Sequence, residues 1–489
     1  MTYLGIDLGT SEVKALLVDA DQRVLATGGV KLALSTPRPH WSEQDPQDWW
    51  RAALAAIAQV RAAAPAAFQA LRGIGLAGQM HGATLLDAEN RVLRPAILWN
   101  DTRAEAECAE LEAAAADSRA ITGNLAMPGF TAPKLLWLQK HEPELFARIA
   151  KVLLPKDYLA FCLTGEFVSD MSDASGTLWL DVARRDWSDQ MLAATGLERR
   201  QMPRLVEGNQ AGGQLRDSLR RDWGLQQAVA VAGGAGDNAA TALGMGAIAS
   251  GQAFLSLGTS GVLFVCNDRF MPNPAQAVHA FCHCLPRRWH QMSVILSAAA
   301  SLAWAAQLTQ TADAGQLAAL AQTADAARAP LFLPYLNGER TPHNDAQASG
   351  VLFGLHGDSG RAALAYSVME GVAFAMADGC DALRATGSRI GQASFVGGGS
   401  RSAYWAGLIA SATGISLLRH AQGEVGAALG AARLAMMAVT GAAPESLCGM
   451  PPVVEEIRPD AALAPILAQR LSRYRRLYAA LKAEFRLGV

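Results

Sequence analysis

The sequence predicts an α/β protein of two large domains. Its 489 residues exceed the about 250–300 residues at which chains divide into separate cores. Strand patterns alternate with helical patterns, as in α/β domains. The tetrapeptide Leu8-Gly-Thr-Ser11 recurs as Leu257-Gly-Thr-Ser260, once in each half. We place the boundary near residue 246, with an N-terminal domain over 1–245 and a C-terminal domain over 246–489.

The first half opens with a predicted antiparallel meander of three strands, because apolar or alternating runs are separated by turns at Gly9 and Asp19. Asp45 then caps a helix whose first residue is Pro46. A helix of small residues over 239–246 would let another element approach closely. The predicted strands of this half are 3–6, 13–18, 24–32, 74–76, 83–86 and 228–232.

The second half repeats the strand–loop–strand pattern around its own Gly-Thr-Ser loop. We read the least polar stretch of the chain, residues 294–308, as part of a buried helix. The C-terminal run from Leu463 to Leu481 is amphipathic and should pack on this domain. The predicted strands are 253–257, 262–265 and 394–396, and the predicted helices are 293–308, 361–385, 402–412 and 425–433.

Composition narrows the functional class. The net charge of −2 and the absence of a basic run argue against nucleic-acid binding driven by phosphate attraction. The N-terminus shows no signal peptide, and no apolar stretch is suited to crossing a membrane. The cysteines are scattered and odd in number, which fits a reducing compartment. We expect a cytoplasmic protein that acts on small molecules, and a homodimer is one assembly that the sequence leaves open.

Asp237 is the leading candidate for a catalytic group, because it is the one carboxylate in the small, apolar run 231–241. It is suited to take a proton from a substrate hydroxyl that attacks the γ-phosphate of ATP. The alternative is a cap for the following helix, and the two roles are compatible.

The two Gly-Thr-Ser loops are candidates for phosphate binding. Glycine lets backbone N–H groups approach anionic oxygens, and the hydroxyls add donors. A single such loop is usually a hairpin turn, but one copy in each half indicates a cleft that holds a phosphate chain from both sides. Asp7, beside the first loop, is suited to hold hydrated Mg²⁺ or to cap the turn. Two positions are expected for the side chain of Lys14: it reaches a phosphate, or it lies exposed on its strand.

Other motifs suggest the sugar and adenosine sites. Met80 and His81 combine an apolar face with a hydrogen-bonding edge, which suits a sugar, and the segment Trp99-Asn100-Asp101 repeats that mixture. Gly397-Gly-Gly399, between a strand and a helix, would let an adenosine lie against the backbone. The cluster from His279 to Cys284 resembles a zinc motif, but its apolar neighbours favour a core strand.

Together these motifs resemble the FGGY carbohydrate kinases of the actin/hexokinase/Hsp70 ATPase superfamily, in order from about residue 3 to about residue 435. The motifs that carry the resemblance are Asp7-Leu-Gly-Thr-Ser11, Gly78-Gln-Met-His-Gly82, Leu98-Trp-Asn-Asp-Thr-Arg103, Gly129-Phe-Thr-Ala-Pro-Lys-Leu135, Gly236-Asp-Asn238, Leu257-Gly-Thr-Ser260, Gly338-Glu-Arg-Thr-Pro-His343 and Gly397-Gly-Gly399.

The resemblance implies two ribonuclease-H-like domains, each with a mixed five-stranded sheet flanked by helices, around a cleft. It implies ATP-dependent phosphorylation of D-xylulose, with Asp237 as the general base and Asp7 assisting Mg²⁺ and ATP. Helices after Asp237 and from Val425 would cross at the hinge. The residues implied to bind the sugar are Met80, His81, Trp99, Asn100, Phe130 and Asp237, and those implied to bind the nucleotide are Gly9, Thr10, Ser11, Lys14, Gly258, Thr259, Gly398 and Gly399.

Three alternatives stay open at this point: a kinase for another ketose or polyol (ribulose, L-xylulose or an alditol), a chaperone- or actin-like nucleotide switch, and a catalytically idle sugar sensor. The nucleotide switch is disfavoured because the second half carries no added peptide-binding domain. The idle sensor is disfavoured because it would require the loss of Asp7 or Asp237, and both are present. Glu12 departs from the family pattern by placing an acid beside the first phosphate loop. We expect its side chain to point away from the phosphates.

Overall fold

Two mixed β-sheets, each of seven strands, form the framework of the computed structural model, which describes residues 1–421 and 426–487. The strands of the first sheet are β1 (Thr2–Leu8), β2 (Glu12–Asp19), β3 (Val24–Lys31), β4 (Leu71–Gly78), β5 (Ala211–Gln214), β6 (Ala230–Ala232) and β7 (Ala235–Gly236). The strands of the second sheet are β8 (Ala253–Leu257), β9 (Gly261–Asn267), β10 (His279–Cys282), β11 (Trp289–Ile295), β12 (Gln392–Val396), β13 (Ser416–His420) and β14 (Val453–Ile457). Each sheet with its helices is called a lobe below.

The two sheets share one topology. In the first, β1, β2 and β3 form an antiparallel meander, β4 and β6 continue in parallel beside β1, and β5 adds an antiparallel edge. In the second, β8, β9 and β11 form the meander, β12 and β13 run parallel beside β8, and β14 adds the edge. The expected five strands are this shared core. Each sheet is larger than expected because β5, β10 and β14 add edge strands and β7 pairs with the end of the interior strand β4.

Helices and short strand pairs surround the sheets. The α-helices are Pro46–Ala63, Pro65–Phe68, Glu105–Ala114, Ser118–Thr122, Thr131–His141, Pro143–Phe146, Pro155–Thr164, Met171–Ser175, Asp189–Ala193, Asp217–Asp222, Asp237–Gly244, Ala299–Leu308, Ala314–Ala321, Arg361–Arg384, Ala403–Thr413, Gly426–Thr440, Pro444–Leu447 and Ala464–Leu481. The short strands are Glu43–Gln44, Thr84–Leu86, Ala96–Ile97, Lys151–Leu153, Val168–Asp170, Leu180–Asp181, Asp186–Trp187, Arg204–Val206, Leu331–Leu333 and Val351–Phe353. In the part of the chain that is described, no helix combines the length and hydropathy needed to span a bilayer.

The predicted α/β class, the opening meander and the capped helix are confirmed. Asp45 accepts a hydrogen bond from the backbone N–H of Gln47, and Pro46 is the first helical residue. The C-terminal helix packs on the second lobe, where the hydroxyls of Tyr474 and Tyr335 are 2.8 Å apart. These local features could be read from sequence because their signals lie within a few neighbouring residues.

The helix predicted over 293–308 is wrong in its first part. Residues up to Ile295 belong to strand β11, which pairs antiparallel with β9 from Gly261 to Asn267, and the helix begins only at Ala299. Val294 and Ile295 are β-branched, so their rotamers suit a strand better than a helix. The apolar run therefore crosses from a buried strand into a helix, which hydropathy alone does not reveal.

Two connecting helices cross between the lobes with almost no side chains at the contact. A Cβ atom on Gly244 in the first helix (Asp237–Gly244) would lie 2.0 Å from the carbonyl oxygen of Gly426, and one on Gly430 in the second (Gly426–Thr440) would lie 1.9 Å from that of Ala240. Real Cβ atoms never approach carbonyl oxygens so closely, so only glycine fits. The implied crossing of two small-residue helices is found here, and Val425 lies outside the described residues.

The second connecting helix also lies directly on the first sheet. Cβ atoms on Gly5 in β1 and on Gly75 in β4 would fall 1.9 and 1.8 Å from the carbonyl oxygens of Ala428 and Ala431. Arg433 of the same helix donates hydrogen bonds to the carbonyls of Leu243 and Gly244, at 2.7 and 3.0 Å. It thereby caps the C-terminus of the first connecting helix with a positive charge.

We predict that Gly430→Ala lowers the free energy of unfolding by about 1–3 kcal/mol, because the added methyl group forces the connecting helices apart. Gly407→Ala is the matched control: Gly407 also lies within a helix, and a Cβ there would have no atom within 4 Å. The control should be neutral or stabilising by up to about 1 kcal/mol. Urea denaturation of both variants measures the difference, and equal stabilities would contradict the close contact.

Candidate active site

Asp237 is the first residue of the first connecting helix and is half-buried. Its Oδ1 accepts hydrogen bonds from the backbone N–H and the side-chain amide of Asn238, at 2.7 and 2.9 Å. Burial and the nearby charge of Asp7 raise its pKa to about 7, although the bonds from Asn238 act in the opposite direction. A carboxylate with such a pKa is suited to accept a proton near neutral pH. The alternative role of a cap is not found, because Gly236 occupies the N-cap position and no side chain of the described residues caps this helix.

Asp7 ends the cleft-facing side of β1, where its pKa is raised to about 6 by burial, against the opposing charge of Lys14. Within residues 1–421 and 426–487, its carboxylate has no hydrogen-bond donor or cation at bonding distance. Asp7 and Asp237 thus concentrate negative charge, and in the described part of the chain neither forms an ion pair, although Lys14 acts on Asp7 from a longer distance. This donor set fits a hydrated Mg²⁺, which takes one or two carboxylates together with water and phosphate oxygens. The described residues contain no cluster of three or more His, Cys, Asp or Glu side chains that would hold a metal by themselves.

Residues 9–11 form the hairpin between β1 and β2, where the N–H of Gly9 donates to the carbonyl of Glu12 at 3.0 Å. The hydroxyl of Thr10 donates to Oε1 of Gln79 at 3.0 Å and accepts a bond from the indole of Trp99 at 2.9 Å. Its single donor is therefore used inside the protein. In this state the loop offers backbone N–H groups and the exposed Ser11 to a phosphate, whereas the Thr10 hydroxyl links the loop to the predicted sugar residues.

Residues 258–260 form the equivalent hairpin between β8 and β9, and the N–H of Gly258 donates to the carbonyl of Ser260 at 3.0 Å. Gly258 and Thr259 are exposed. The carbonyl of Gly258 accepts a hydrogen bond from the N–H of Ala299, the first residue of the helix Ala299–Leu308. The second predicted phosphate loop is therefore fixed to the helix that leads to the next cavity.

A cavity of about 820 Å³ opens beside this helix in the second lobe. Gly398 and Gly399, predicted to bind adenosine, line it, and a Cβ on Gly398 would have no atom within 4 Å. Other lining residues are Leu302, Ala306, Gln307 and Tyr404. The volume and the mixed apolar and polar lining suit a small molecule of nucleoside size.

The loop after β4 presents Met80 and His81 to the first lobe's side of the cleft. His81 has a left-handed backbone (φ 70°), and its carbonyl accepts hydrogen bonds from the buried Lys134 and from Thr131, at 2.9 and 3.1 Å. Its Nδ1 is 2.7 Å from the carbonyl of Gly176, so Nδ1 donates and Nε2 remains an acceptor. Burial lowers the pKa of His81 to about 3, which keeps the ring neutral.

Three further predicted residues surround this loop. Phe130 is buried, and its ring centre lies 4.7 Å from that of His81. Trp99 is 39% exposed, and Asn100 is exposed beside it. Met80 lies under Gly236, where a Cβ would be 2.9 Å from its sulfur. The predicted sugar loop thus reaches the residue directly before Asp237.

Sequence reasoning missed a buried charge cluster under the Asp237 loop. Lys156 contacts the carboxylates of Asp157, Asp170 and Asp173 at 2.6, 2.9 and 3.6 Å. The hydroxyl of Ser172 donates to Asp170 at 2.5 Å and accepts from the N–H of Gly236 at 3.1 Å. The cluster therefore holds the backbone that carries Asp237. The only sequence signal for this cluster is the spacing of Asp170 and Asp173, because Lys156 belongs to a different helix.

The remaining predicted features are also placed by the structure. Residues 279–282 form the core strand β10, as favoured over zinc, and His279 pairs with Asn124. Lys14 is exposed on the cleft side of β2. The carboxylate of Glu12 is directed towards β3, with Oε2 3.4 Å from the Nζ of Lys31. Its orientation relative to bound phosphates stays a prediction.

Comparisons with known proteins agree with this geometry. The chain matches the family model "FGGY family of carbohydrate kinases, N-terminal domain" over residues 2–244 and the corresponding C-terminal domain model over residues 253–439. It is 53% identical to the xylulose kinase of Escherichia coli (strain K12), over 97% of this chain and 98% of that protein.

Two solved structures extend the comparison. A protein from Brucella ovis, described as a xyloylose kinase, has 54% identity and a TM-score of 0.96, covering 99% of this chain and all (100%) of that one. The xylulose kinase of Rhodospirillum rubrum has 29% identity and a TM-score of 0.90, with 99% and 100% covered. The predicted two-lobed, actin-like ATPase fold is thereby confirmed.

We predict that Lys156→Met lowers the free energy of unfolding by about 3–5 kcal/mol, because buried carboxylates lose their cation. Burial already raises the pKa values of Asp157 and Asp173, and the charge of Lys156 opposes that rise. Without Lys156 these two folded-state pKa values should rise further above the unfolded ones, so stability is retained at low pH and lost as pH rises. The deficit relative to wild type should therefore grow from about pH 5 to about pH 8 in urea denaturation. Lys140→Met, which removes partly exposed ion pairs, is the control and should cost at most about 1 kcal/mol. A deficit that does not depend on pH would contradict this account.

Proposed function

The chain belongs to the FGGY family of carbohydrate kinases, and from that premise we propose that it phosphorylates D-xylulose with ATP, giving D-xylulose 5-phosphate and ADP. The substrate assignment is supported by the similarity to xylulose kinases over nearly the whole chain. The reaction type is supported by Asp237, a carboxylate whose pKa is raised to about 7 by burial and by the neighbouring charge of Asp7.

Asp237 is the proposed general base. The substrate hydroxyl oxygen attacks the γ-phosphorus, its proton passes to the carboxylate of Asp237, and the bond from the γ-phosphorus to the β,γ-bridging oxygen breaks to release ADP. The bonds from Asn238 fix the orientation of the carboxylate. Base assistance of this kind contributes about 10²–10⁴-fold to rate, and the fixed geometry avoids reorganisation during transfer.

The other predicted residues have separate roles in this proposal. Asp7 would hold Mg²⁺ through water, and the bound ion would neutralise charge on the phosphates. The backbone N–H groups of the two Gly-Thr-Ser hairpins, with Lys14, would bind the phosphate chain, and Gly398 and Gly399 would accommodate the adenosine.

Residues 1–245 would contribute the sugar site, the first phosphate loop and the base, and residues 246–489 the second phosphate loop and the adenosine site. Closure of the lobes would exclude water, so that the sugar receives the phosphoryl group. An enzyme that consumes ATP needs a compartment that supplies it, which favours the cytoplasm.

We predict that ADP release by the purified chain depends on added sugar and is fastest with D-xylulose among D-xylulose, L-xylulose, ribulose isomers and alditols. Asp237→Asn is the matched variant, because the amide preserves the shape and an acceptor for Asn238 but takes up no proton. It should bind D-xylulose with little change and lose most turnover. Faster turnover of a different sugar would show that D-xylulose is not the preferred substrate. A near-normal kcat in Asp237→Asn would show that Asp237 is not the general base.

The raised pKa of Asp237 predicts an acid limb in the activity profile. The base works deprotonated, so kcat/KM for the sugar should fall as pH drops below about 7. Asp7→Asn removes the neighbouring negative charge that raises this pKa, so the limb in its residual activity should move to lower pH. Steady-state rates across pH measure both. A wild-type limb near pH 4, the usual range of a free aspartate (about 3.9), would contradict the buried, charge-coupled base.

A further inference from the structure

Arg340 of the second lobe lies in the cleft against the predicted sugar residues of the first. Its Nη1 is 3.3 Å from Nε2 of His279, and the ring centres of His279 and Phe130 are 5.5 Å apart. Phe130 in turn lies beside His81. The positive charge of Arg340 also contributes to the lowered pKa of His81, although burial is the larger cause. The sugar pocket therefore has a wall from each lobe.

The hydrogen bonds that hold Arg340 run in one direction. A guanidinium only donates, so Nε2 of His279 accepts and its Nδ1 carries the proton. Nδ1 then donates to Oδ1 of Asn124 at 3.3 Å. The amide group of Asn124 is oriented by its own donation to the carbonyls of Thr122 and Ala280, at 2.7 and 2.9 Å. The chain from Arg340 through His279 to Asn124 thus joins the two lobes and fixes a neutral His279.

Arg340 differs from other poorly exposed arginines in having neither a carboxylate nor a set of protein acceptors; Arg433 also lacks a carboxylate, but it donates to Gln22 and to three backbone carbonyls. Arg103, Arg185 and Arg470 each contact an acid at 2.6–2.7 Å. Over the described ranges 1–421 and 426–487, no carboxylate lies within 4.0 Å of the Arg340 guanidinium, and its one hydrogen bond is to His279. Four of its five N–H donors therefore have no protein acceptor there.

The neighbouring acid is already occupied elsewhere. Oε1 of Glu339 accepts hydrogen bonds from the backbone N–H groups of Leu296 and Arg340, at 3.0 and 2.8 Å. Burial raises the pKa of Glu339 to about 8, so near neutral pH it is mostly protonated and gives little charge compensation. An uncompensated guanidinium in a desolvated cleft is costly unless a ligand supplies acceptors.

We propose that Arg340 is a substrate-binding residue, donating hydrogen bonds from the second lobe to the oxygen atoms at the carbonyl end of the ketose, and that His279 is its positioning residue. This inference rests on the proposed function. With the terminal hydroxyl at Asp237, the sugar chain extends past Met80 towards His81 and Arg340, so its C1 and C2 oxygens lie at the far end. Two adjacent N–H groups of a planar guanidinium match two adjacent acceptor oxygens.

The arrangement also gives a basis for preferring a ketose over a polyol. A carbonyl oxygen only accepts and is satisfied by donors from Arg340. A hydroxyl at C2 brings a proton that faces a donor-only cation and needs another acceptor. Sites built from buried polar groups reject analogues whose groups leave them unpaired.

The test compares Arg340→Gln with Arg389→Gln, an exposed arginine of the same lobe. Calorimetry gives the Kd for D-xylulose, and steady-state kinetics give KM for sugar and ATP with D-xylulose and with D-arabinitol. Losing hydrogen bonds from a charged group should raise Kd and KM for D-xylulose about 10- to 100-fold in Arg340→Gln. KM for ATP should not change, the advantage of ketose over polyol should shrink, and Arg389→Gln should resemble wild type.

Two results would overturn the assignment: an unchanged Kd and KM for D-xylulose, or an equal loss with ketose and polyol, which would make Arg340 only a bridge between lobes. Should Arg340→Gln fail to fold, Arg340→Lys is the second variant. It keeps the positive charge but lacks the planar pair of N–H donors, so its affinity for D-xylulose should show an intermediate loss. Wild-type turnover of D-xylulose decides the proposed function separately. An active wild type with an unaffected Arg340 variant overturns this inference alone.

His279 is tested by a conservative pair. His279→Gln keeps an acceptor for Arg340 and a donor for Asn124, whereas His279→Leu keeps neither. We expect the leucine variant to raise KM for D-xylulose without changing KM for ATP, and the glutamine variant to recover most of the loss. Equal KM values for both variants and wild type would overturn the positioning role.

Discussion

The contact on which the rest of this structure depends is the backbone approach between the two connecting helices and the first sheet. Carbonyl oxygens occupy the space of absent side chains at Gly5, Gly75, Gly244 and Gly430. The same contact fixes the start of the first helix, where Asp237 lies, and the strands β1 and β4, whose ends carry the first phosphate hairpin and the sugar loop. The positions of the proposed base and of the two proposed binding loops are therefore set together, and small displacements matter for phosphoryl transfer.

Charge is distributed unevenly along the cleft that these helices organise. Asp7 and Asp237 raise the negative potential where Mg²⁺ and the phosphates are proposed to bind, and each acid is more costly to ionise because the site is buried. At the proposed sugar end, burial keeps His81 neutral and Arg340 carries a positive charge. Such a gradient would orient a neutral sugar through its hydrogen bonds and leave the acidic end for the metal.

The sequence was sufficient where the signal is local. The meander, the capped helix at Asp45 and the small-residue helix after Asp237 all follow from residues within one or two turns. The resemblance to a known family added the two-lobed fold and the proposed roles. Apolarity alone failed at Ile295, because a buried strand and a buried helix share the same hydropathy.

The contacts of the site could not be read from sequence because they join distant segments. Lys156 and Asp173, or His279 and Asn124, meet only after the chain has folded. The motif 338–343 was recognised without a role, since nothing in its spacing shows that Arg340 contacts His279, which in turn lies near Phe130 of the first lobe.

Thr10 illustrates how one such contact changes the interpretation of a motif. Its hydroxyl was expected to be a phosphate donor, but that donor binds Gln79, which follows β4, while Trp99 donates to the same oxygen. Gln44 adds a bond to the Thr10 carbonyl at 2.7 Å and accepts one from Gln79 at 3.0 Å. The nucleotide hairpin and the sugar-side residues of the first lobe are therefore one hydrogen-bonded unit. The proposed closure would then bring the second lobe, with its own hairpin and Arg340, to a first-lobe surface on which the hairpin of residues 9–11 and the loop after β4 already have a fixed relative position.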